Sequence, residues 1–193
     1  CLCYFVVMAP NRIYQPYIDG GEIALPVKES LAVFDGAKDI LSPFLGTITF
    51  ETLRAIKNNP SEINIRPDRL VEQMRRSPFI AILSQRPIAI PVGLIPEKSA
   101  RRGLDGICYF RNSEDRSSGS IVIASVGQLR TETEMDDAIT ILAHEIGHSY
   151  GLEHCIGRTC LMSQAIPSGD RHKYATKLSG LFCSSHMAAI EKL

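Results

Sequence analysis

Short apolar runs alternate with segments of helical spacing through the first two thirds of the chain. Apolar or β-branched runs predict strands, and they occur at 4–8, 46–50, 79–83, 107–110 and 120–125. Apolar positions three and four apart predict helices over 27–41 and 67–77, the second with Pro67 in its first turn. Strands that alternate with helices favour an α/β fold, in which a mostly parallel sheet is covered by helices.

Two features of the pattern interrupt this alternation. The segment 86–97 contains three prolines, and because proline cannot donate to a sheet ladder, we predict that this segment is not a central strand. After residue 155, glycine, serine and cysteine replace the periodic pattern. We therefore expect one compact domain made of two subdomains. Residues 1–151 would hold the sheet and the main helices, and residues 152–193 would form a small irregular subdomain.

A further helix is predicted after the last of these strands, with two histidines on one face. Thr131 and Glu134 have the spacing of a capping box, which marks a helix start. His144 and His148 are four residues apart, so they lie one turn apart on a single face. The opposite face carries an apolar stripe of Met135, Ala138, Ile139, Leu142 and Ile146. Because the remaining positions are also small or apolar, we expect a buried helix whose histidines face an interior cleft.

A third histidine and a glutamate complete the predicted site. Gly151 suits the left-handed conformation that ends a helix, and the turn would return His154 toward the same point. A single histidine on such a helix would favour a core residue with satisfied hydrogen bonds. That interpretation would also have to explain the second histidine at helical spacing and the glutamate beside the first. Three neutral imidazoles around one ion, however, leave a fourth position for water, as in catalytic zinc sites. Such an ion lowers the pKa of water to about 7, and Glu145 beside it would accept the proton.

Charge and cysteine usage restrict the class of protein. The 193-residue chain carries 21 basic and 21 acidic residues, which argues against a nucleic-acid partner. No run reaches the roughly 18 apolar residues of a membrane span. The six cysteines are unevenly spaced and two lie close to histidines, so we expect a reducing, cytoplasmic location with thiolates on metal. We also expect a monomer. Cys1, Cys3 and Cys108 lie in apolar runs and are expected to be core residues.

The string HEIGHSYGLEH resembles the metzincin motif HExxHxxGxxH. The resemblance implies that His144, His148 and His154 bind a catalytic zinc ion and that Glu145 is the general base. It also implies a metzincin-like fold: a twisted, mostly parallel sheet with an antiparallel edge strand, backing helices and an active-site helix.

The residues after this motif resemble the archaemetzincins in particular. Cys155, Cys160 and Met162 occupy the positions of two family cysteines and of the Met-turn methionine, a packing support beneath the metal. Archaemetzincins continue with a CxxC pair, where this chain has CSSH from Cys183 to His186 after a longer spacer. A set of three cysteines and one histidine is an ordinary closed zinc site, so the resemblance implies a second, structural zinc. The alternatives are a disulfide between Cys155 and Cys160 or unpaired thiols.

The expected function is that of a zinc-dependent peptidase, in which Glu145 assists the attack of zinc-bound water on a peptide bond. Metzincins hold an extended peptide along an edge strand, for which the candidate is Ile107, Cys108, Tyr109 and Phe110. An ordinary core strand is an equally open interpretation of these four residues. The alternative function is a zinc-stabilised module that binds peptides or proteins with little or no turnover. A nucleic-acid-binding zinc module would leave Glu145 and the three histidines without a role.

Overall fold

The computed structural model describes residues 12–19, 26–56, 89–96, 106–110, 120–126, 129–156, 159–164 and 180–193. The strands predicted at 4–8 and 79–83 and the helix predicted at 67–77 lie outside the described residues, as do Cys1 and Cys3.

The described residues form six strands and three helices. In chain order they are β1 (Arg12–Asp19), α1 (Val27–Leu45), β2 (Ile48–Phe50), β3 (Arg54–Ile56), β4 (Ala89–Pro96), β5 (Gly106–Phe110), β6 (Ser120–Val126), α2 (Glu132–Ser149) and α3 (Ser184–Ile190). The predicted helix at 27–41 and the predicted strands at 46–50, 107–110 and 120–125 are thereby confirmed, whereas β1 and β3 were not predicted. None of the described helices is long and apolar enough to cross a membrane.

The strands form one sheet in the order β2-β1-β4-β6-β5, with β3 also paired to β1. All pairings are parallel except that of β5 with β6, which is antiparallel and brings Gly106 opposite Ala124 and Cys108 opposite Val122. Within the described ranges β5 is the last strand on its side of the sheet. The predicted α/β class with a largely parallel sheet and helices is confirmed.

The prediction that the proline-rich segment 86–97 is not a central strand is wrong. Strand β4 lies between β1 and β6 and contains two of the prolines. Pro91 comes just before Val92, the first residue paired with β6, and Pro96 comes after Leu94, the last residue paired with β1. Pro91 is paired only with β1 and Pro96 only with β6. Each proline therefore has one side without a ladder partner, where a missing N–H group costs least.

Helix α2 begins with the predicted capping box. The Glu134 amide donates to Thr131 Oγ1 at 3.2 Å, and Glu134 Oε2 accepts from the backbone amides of Thr131 at 3.2 Å and Arg130 at 2.7 Å. These bonds satisfy amides that have no partner within the helix. The start of the helix is therefore set by local sequence.

The core lies between the sheet and the two long helices. α2 packs against β5, β6 and α1, and α1 also contacts β1 and β2. The two helices approach closely at Gly36 of α1, where a Cβ atom would lie 2.6 Å from Ile139 Cδ1. Large side chains that are fully buried include Tyr14, Phe34, Leu41, Leu142 and Ile146. α2 is thus held on several sides, as its apolar and small residues predicted.

Removing the N-cap side chain should weaken α2. We expect Thr131→Ala to lower the free energy of unfolding by about 1 kcal/mol, because the Glu134 amide loses its acceptor. Urea denaturation measures this change. Thr133→Ala, an exposed change in the same helical turn, is the matched control. Equal losses in the two variants would contradict the capping role of Thr131.

Candidate metal centre

Helix α2 presents His144 and His148 with their ring orientations held by backbone carbonyls. His144 Nδ1 lies 2.7 Å from the Leu161 oxygen, and His148 Nδ1 lies 2.6 Å from the Leu152 oxygen. A carbonyl oxygen can only accept, so each Nδ1 carries the proton and donates it. Each Nε2 is therefore left with a lone pair, which is the form that binds a metal.

The third histidine reaches the same point through the turn that follows α2. Gly151 has a positive φ of 83°, a conformation that its lack of a side chain permits. The Gly151 amide donates to the His148 oxygen at 2.8 Å, which closes the turn. His154 Nε2 then lies 3.1 Å from His144 Nε2 and 3.0 Å from His148 Nε2, and the latter two are 3.1 Å apart.

These three nitrogen atoms fit a common zinc ion. The contact between His144 Nε2 and His148 Nε2 is not a hydrogen bond, because both protons are on the Nδ1 atoms. Two lone pairs at this distance repel each other unless a cation lies between them. Zinc–nitrogen bonds of about 2.0–2.1 Å in a tetrahedral site place the ligand nitrogens roughly 3.3 Å apart, close to the separations found. Burial also lowers the pKa of His148, which favours the neutral ligand form.

Glu145 lies between the helix and strand β5. Its side chain is only 7% exposed, and a Cβ atom at Gly106 would lie 2.6 Å from both its Cγ and its Oε1. The carboxyl group therefore packs directly on the β5 backbone. Cys108, two residues along the strand, has its thiol pKa raised by burial and by the negative charge of Glu145. Gly106 and Cys108 thus form the wall of the site on the side of β5.

Met162 lies beneath the histidine-bearing turn of α2. It is fully buried, and a Cβ atom at Gly147 would lie 2.6 Å from its sulfur. Gly147 lies between the two helical histidines, so its missing side chain provides the space that the methionine occupies. The neighbouring Leu161 carbonyl orients His144 at the same time. This short turn therefore packs under the site and also contributes to it.

A second cluster brings together Cys155, Cys160, Cys183 and His186, whose ligand atoms all lie within 4.8 Å of one another. His186 Nδ1 lies 3.3 Å from Cys160 Sγ and 3.1 Å from Cys183 Sγ. Zinc–sulfur and zinc–nitrogen bonds of about 2.3 and 2.0 Å imply a separation of roughly 3.5 Å in a tetrahedral site, close to these values. None of the four cysteines in the described ranges forms a disulfide, so the alternative of a Cys155–Cys160 disulfide is not what the structure contains.

The two thiols nearest His186 differ in their electrostatic surroundings. Burial raises the pKa of the Cys160 thiol to about 12. At Cys183 the net effect is the opposite, and its pKa is lowered to about 6. Partial burial acts to raise this pKa, but hydrogen bonds with Ser185 and His186 favour the thiolate and have the larger combined effect. A thiolate at Cys183 is the form in which cysteine binds zinc.

The two clusters share one stretch of backbone. His186 Nε2 donates to the Glu153 oxygen at 2.8 Å, which leaves its Nδ1 as the lone-pair atom that faces the thiols. Glu153 directly precedes His154, a member of the first cluster, and Cys155, a member of the second. The Cys155 amide donates to the Met162 oxygen at 2.9 Å. The second cluster is therefore built on the segment that carries His154.

The structure brings together the residues predicted for both clusters. It packs Glu145 against Gly106 and Met162 against Gly147. For the predicted substrate strand it shows the backbone: Ile107, Tyr109 and Phe110 pair with Ile123, Ile121 and Ser120 of β6. Sequence reasoning missed the close approaches at Gly106 and Gly147. The small residue between the two histidines of HEIGH was the available signal for Gly147, whereas Gly106 is recognised only from its distance to Glu145.

Similar solved structures include an archaemetzincin and a protein described as a zinc-dependent peptidase. Archaemetzincin from Methanopyrus kandleri matches with a TM-score of 0.61 at 19% identity, over 94% of this chain and 94% of that one. A zinc-dependent peptidase from Methanocorpusculum labreanum matches with a TM-score of 0.56 at 16% identity, over 91% of this chain and 99% of that one. No curated protein sequence matches significantly. The predicted resemblance to the archaemetzincins is confirmed at the level of the fold.

Together with the fold, a family match identifies a zinc metallopeptidase of the metzincin type. The matrixin peptidase model matches residues 46–179, which is more than half of the chain. The chain therefore belongs to the matrixin family. This matched region contains both helical histidines, Glu145, His154 and Met162, and it ends before Cys183 and His186.

A side chain at Gly147 should disturb the packing of Met162. We expect Gly147→Ala to lower the free energy of unfolding by about 1–3 kcal/mol, since the new methyl group overlaps the methionine sulfur. Calorimetric or denaturant unfolding measures the loss. The same substitution in a Met162→Ala background should cost much less, because the overlapping atom is gone. An equal cost in both backgrounds would show that the contact is not responsible.

Proposed function

We propose that this protein hydrolyses peptide bonds with one catalytic zinc ion, held by His144, His148 and His154, and with Glu145 as general base. The observation that carries the proposal is the convergence of three Nε2 atoms at 3.0–3.1 Å, with the buried Glu145 directly following the first of these histidines in the helix. A zinc ion held there would polarise the scissile carbonyl and lower the pKa of water to about 7.

The role proposed for Glu145 is proton transfer in two steps. Its carboxylate takes a proton from the attacking water as the oxygen bonds to the carbonyl carbon. It then delivers that proton to the amine nitrogen as the peptide C–N bond breaks. The packing of this side chain against Gly106 limits its rotamers, which would restrict where its oxygen atoms can lie. Met162 would support the helix from below without binding the ion.

We further propose a second, structural zinc ion on Cys155, Cys160, Cys183 and His186. These ligands complete a tetrahedral set with no position left for water, as in closed structural sites. The cluster joins the segment around His154 to the start of α3. A division into residues 1–151 and 152–193 would then place the second ion wholly in the C-terminal part, where it holds the loop that carries the third catalytic ligand.

The proposed substrate is an extended peptide or protein segment lying along β5. This strand, made of Gly106, Ile107, Cys108, Tyr109 and Phe110, ends the strand order within the described ranges, and Glu145 packs against its first residue. Backbone hydrogen bonds to such a strand would hold a peptide in register beside the histidines. Backbone pairing does not depend on the identity of the substrate side chains. Selectivity for particular side chains would therefore come from pockets beside the strand.

Glu145→Gln should abolish hydrolysis while leaving the metal bound. The amide has nearly the same shape but cannot accept the proton, so we expect kcat to fall by about 100-fold to 10,000-fold. Quenched peptides with different termini serve as substrates, and zinc content is measured by emission spectrometry. Glu132→Gln, an exposed change on the same helix, should retain full activity. Cleavage by Glu145→Gln at the parent rate would overturn the mechanism.

Zinc counting tests the two-ion proposal. Native mass spectrometry should find about two zinc ions in the parent and about one in His186→Ala, because the closed site needs all four ligands. Ser184→Ala, an exposed change in the same helix, is the matched control and should retain both ions. One ion in the parent, or two in His186→Ala, would count against the second site.

A further inference from the structure

The Arg12 side chain, at the first residue of β1, contacts the last turn of α2. Arg12 Nη1 donates to the Ser149 oxygen at 2.7 Å, and the guanidinium carbon lies 4.2 Å from the centre of the Tyr150 ring. The final carbonyls of a helix have no partner within it and carry partial negative charge, so a guanidinium donor stabilises this end. Arg12 and Ser149 are far apart in sequence, and only the tertiary fold brings them together.

A second contact from β1 reaches the same residue. Tyr14 and Ser149 hydroxyls are 2.8 Å apart, and Ser149 Oγ donates to the Ile146 oxygen at 2.7 Å. Because the serine proton is used for the carbonyl, the Tyr14 hydroxyl is the donor to Ser149 Oγ. Burial, with a smaller contribution from Tyr150, raises the pKa of Tyr14 well above its usual value, so the phenol remains protonated and able to donate.

The residues held in this way lead directly into the metal centre. The Tyr150 and Leu152 amides donate to the Gly147 oxygen at 3.0 and 3.3 Å, and the Leu152 oxygen accepts from His148 Nδ1. A shift of the helix end would therefore move the acceptor that orients His148. It would also move His154, which lies two residues after Leu152.

We infer that Arg12 and Tyr14 are positioning residues of the three-histidine metal centre, which they stabilise by fixing the end of α2 from strand β1. Neither side chain is one of the proposed ligands, and the contacts described for both are with Ser149 and Tyr150. They act on the orientation of His148 and on the approach of His154. The inference rests on the proposed assignment of His144, His148 and His154 as ligands of one ion.

When cobalt(II) replaces zinc, metal binding to the cysteine centre and to the histidine centre can be measured separately in one experiment. Thiolate-to-metal charge transfer in the near ultraviolet reports only the cysteine centre. Equilibrium dialysis followed by emission spectrometry gives the total metal bound, so the histidine centre is obtained by difference. The full chain is titrated for the parent, Arg12→Met and Tyr14→Phe, with Lys38→Met as an exposed control on α1. The unfolding temperature of each metal-free protein is recorded as well.

Removal of outer ligand partners typically weakens metal binding by about 10-fold to 100-fold, and we expect a value near the lower end for Arg12→Met. Tyr14→Phe should act in the same direction, and Arg12→Lys, which keeps a charged donor, should recover most of the affinity. The cysteine centre and Lys38→Met should bind as in the parent.

Parent-like affinity of the histidine centre in both Arg12→Met and Tyr14→Phe would overturn the inference, even if the unfolding temperature fell. That result would show a purely structural contact. Equal weakening of both centres would overturn it as well, because it indicates general loosening of the fold. A parent that binds cobalt only at the cysteine centre would overturn the proposed function together with this inference, so the two failures are distinguishable.

Discussion

The mutual approach of three histidine Nε2 atoms is the constraint on which the rest of the site depends. Two of these rings have their protons committed to backbone carbonyls, at Leu161 and Leu152, so their Nε2 atoms face each other without a proton between them. A cation bound between them would remove that repulsion, and several neighbouring features hold the rings in place. The buried helix presents two of them, the Gly151 turn returns the third, and Met162 fills the space beneath Gly147.

The second recurring feature is a side chain that packs closely against the backbone of a glycine. Glycine at position 106 lets β5 lie against the Glu145 side chain, and glycine at 147 lets the methionine sulfur lie against the helix. Either approach would be blocked by a single methyl group. The site is therefore as sensitive to these small residues as to its polar ones, although glycines contribute no chemistry themselves.

The two clusters are coupled through short stretches of chain rather than through direct contact of their ligands. His186 holds the Glu153 carbonyl, and the next two residues belong to different centres. At the other end of the turn, Arg12 and Tyr14 hold Ser149 from the sheet. The segment between Ser149 and Cys155 is thus fixed at both ends, which gives a loop the rigidity that a metal ligand requires.

The sequence by itself determined the features that depend only on residues close together in the chain. The capping box, the one-turn spacing of His144 and His148, and the glycine that ends the helix follow from hydrogen bonding and periodicity within a few residues, so they were predictable. The resemblance of the motif led to the family and to both ligand sets. What sequence could not determine are contacts between distant residues. The place of the proline-containing β4 inside the sheet depends on where its neighbours stop pairing. The packing of Glu145 on Gly106 and the hold of Arg12 on Ser149 arise only when strands and helix meet, because the geometry of such contacts depends on all the intervening chain.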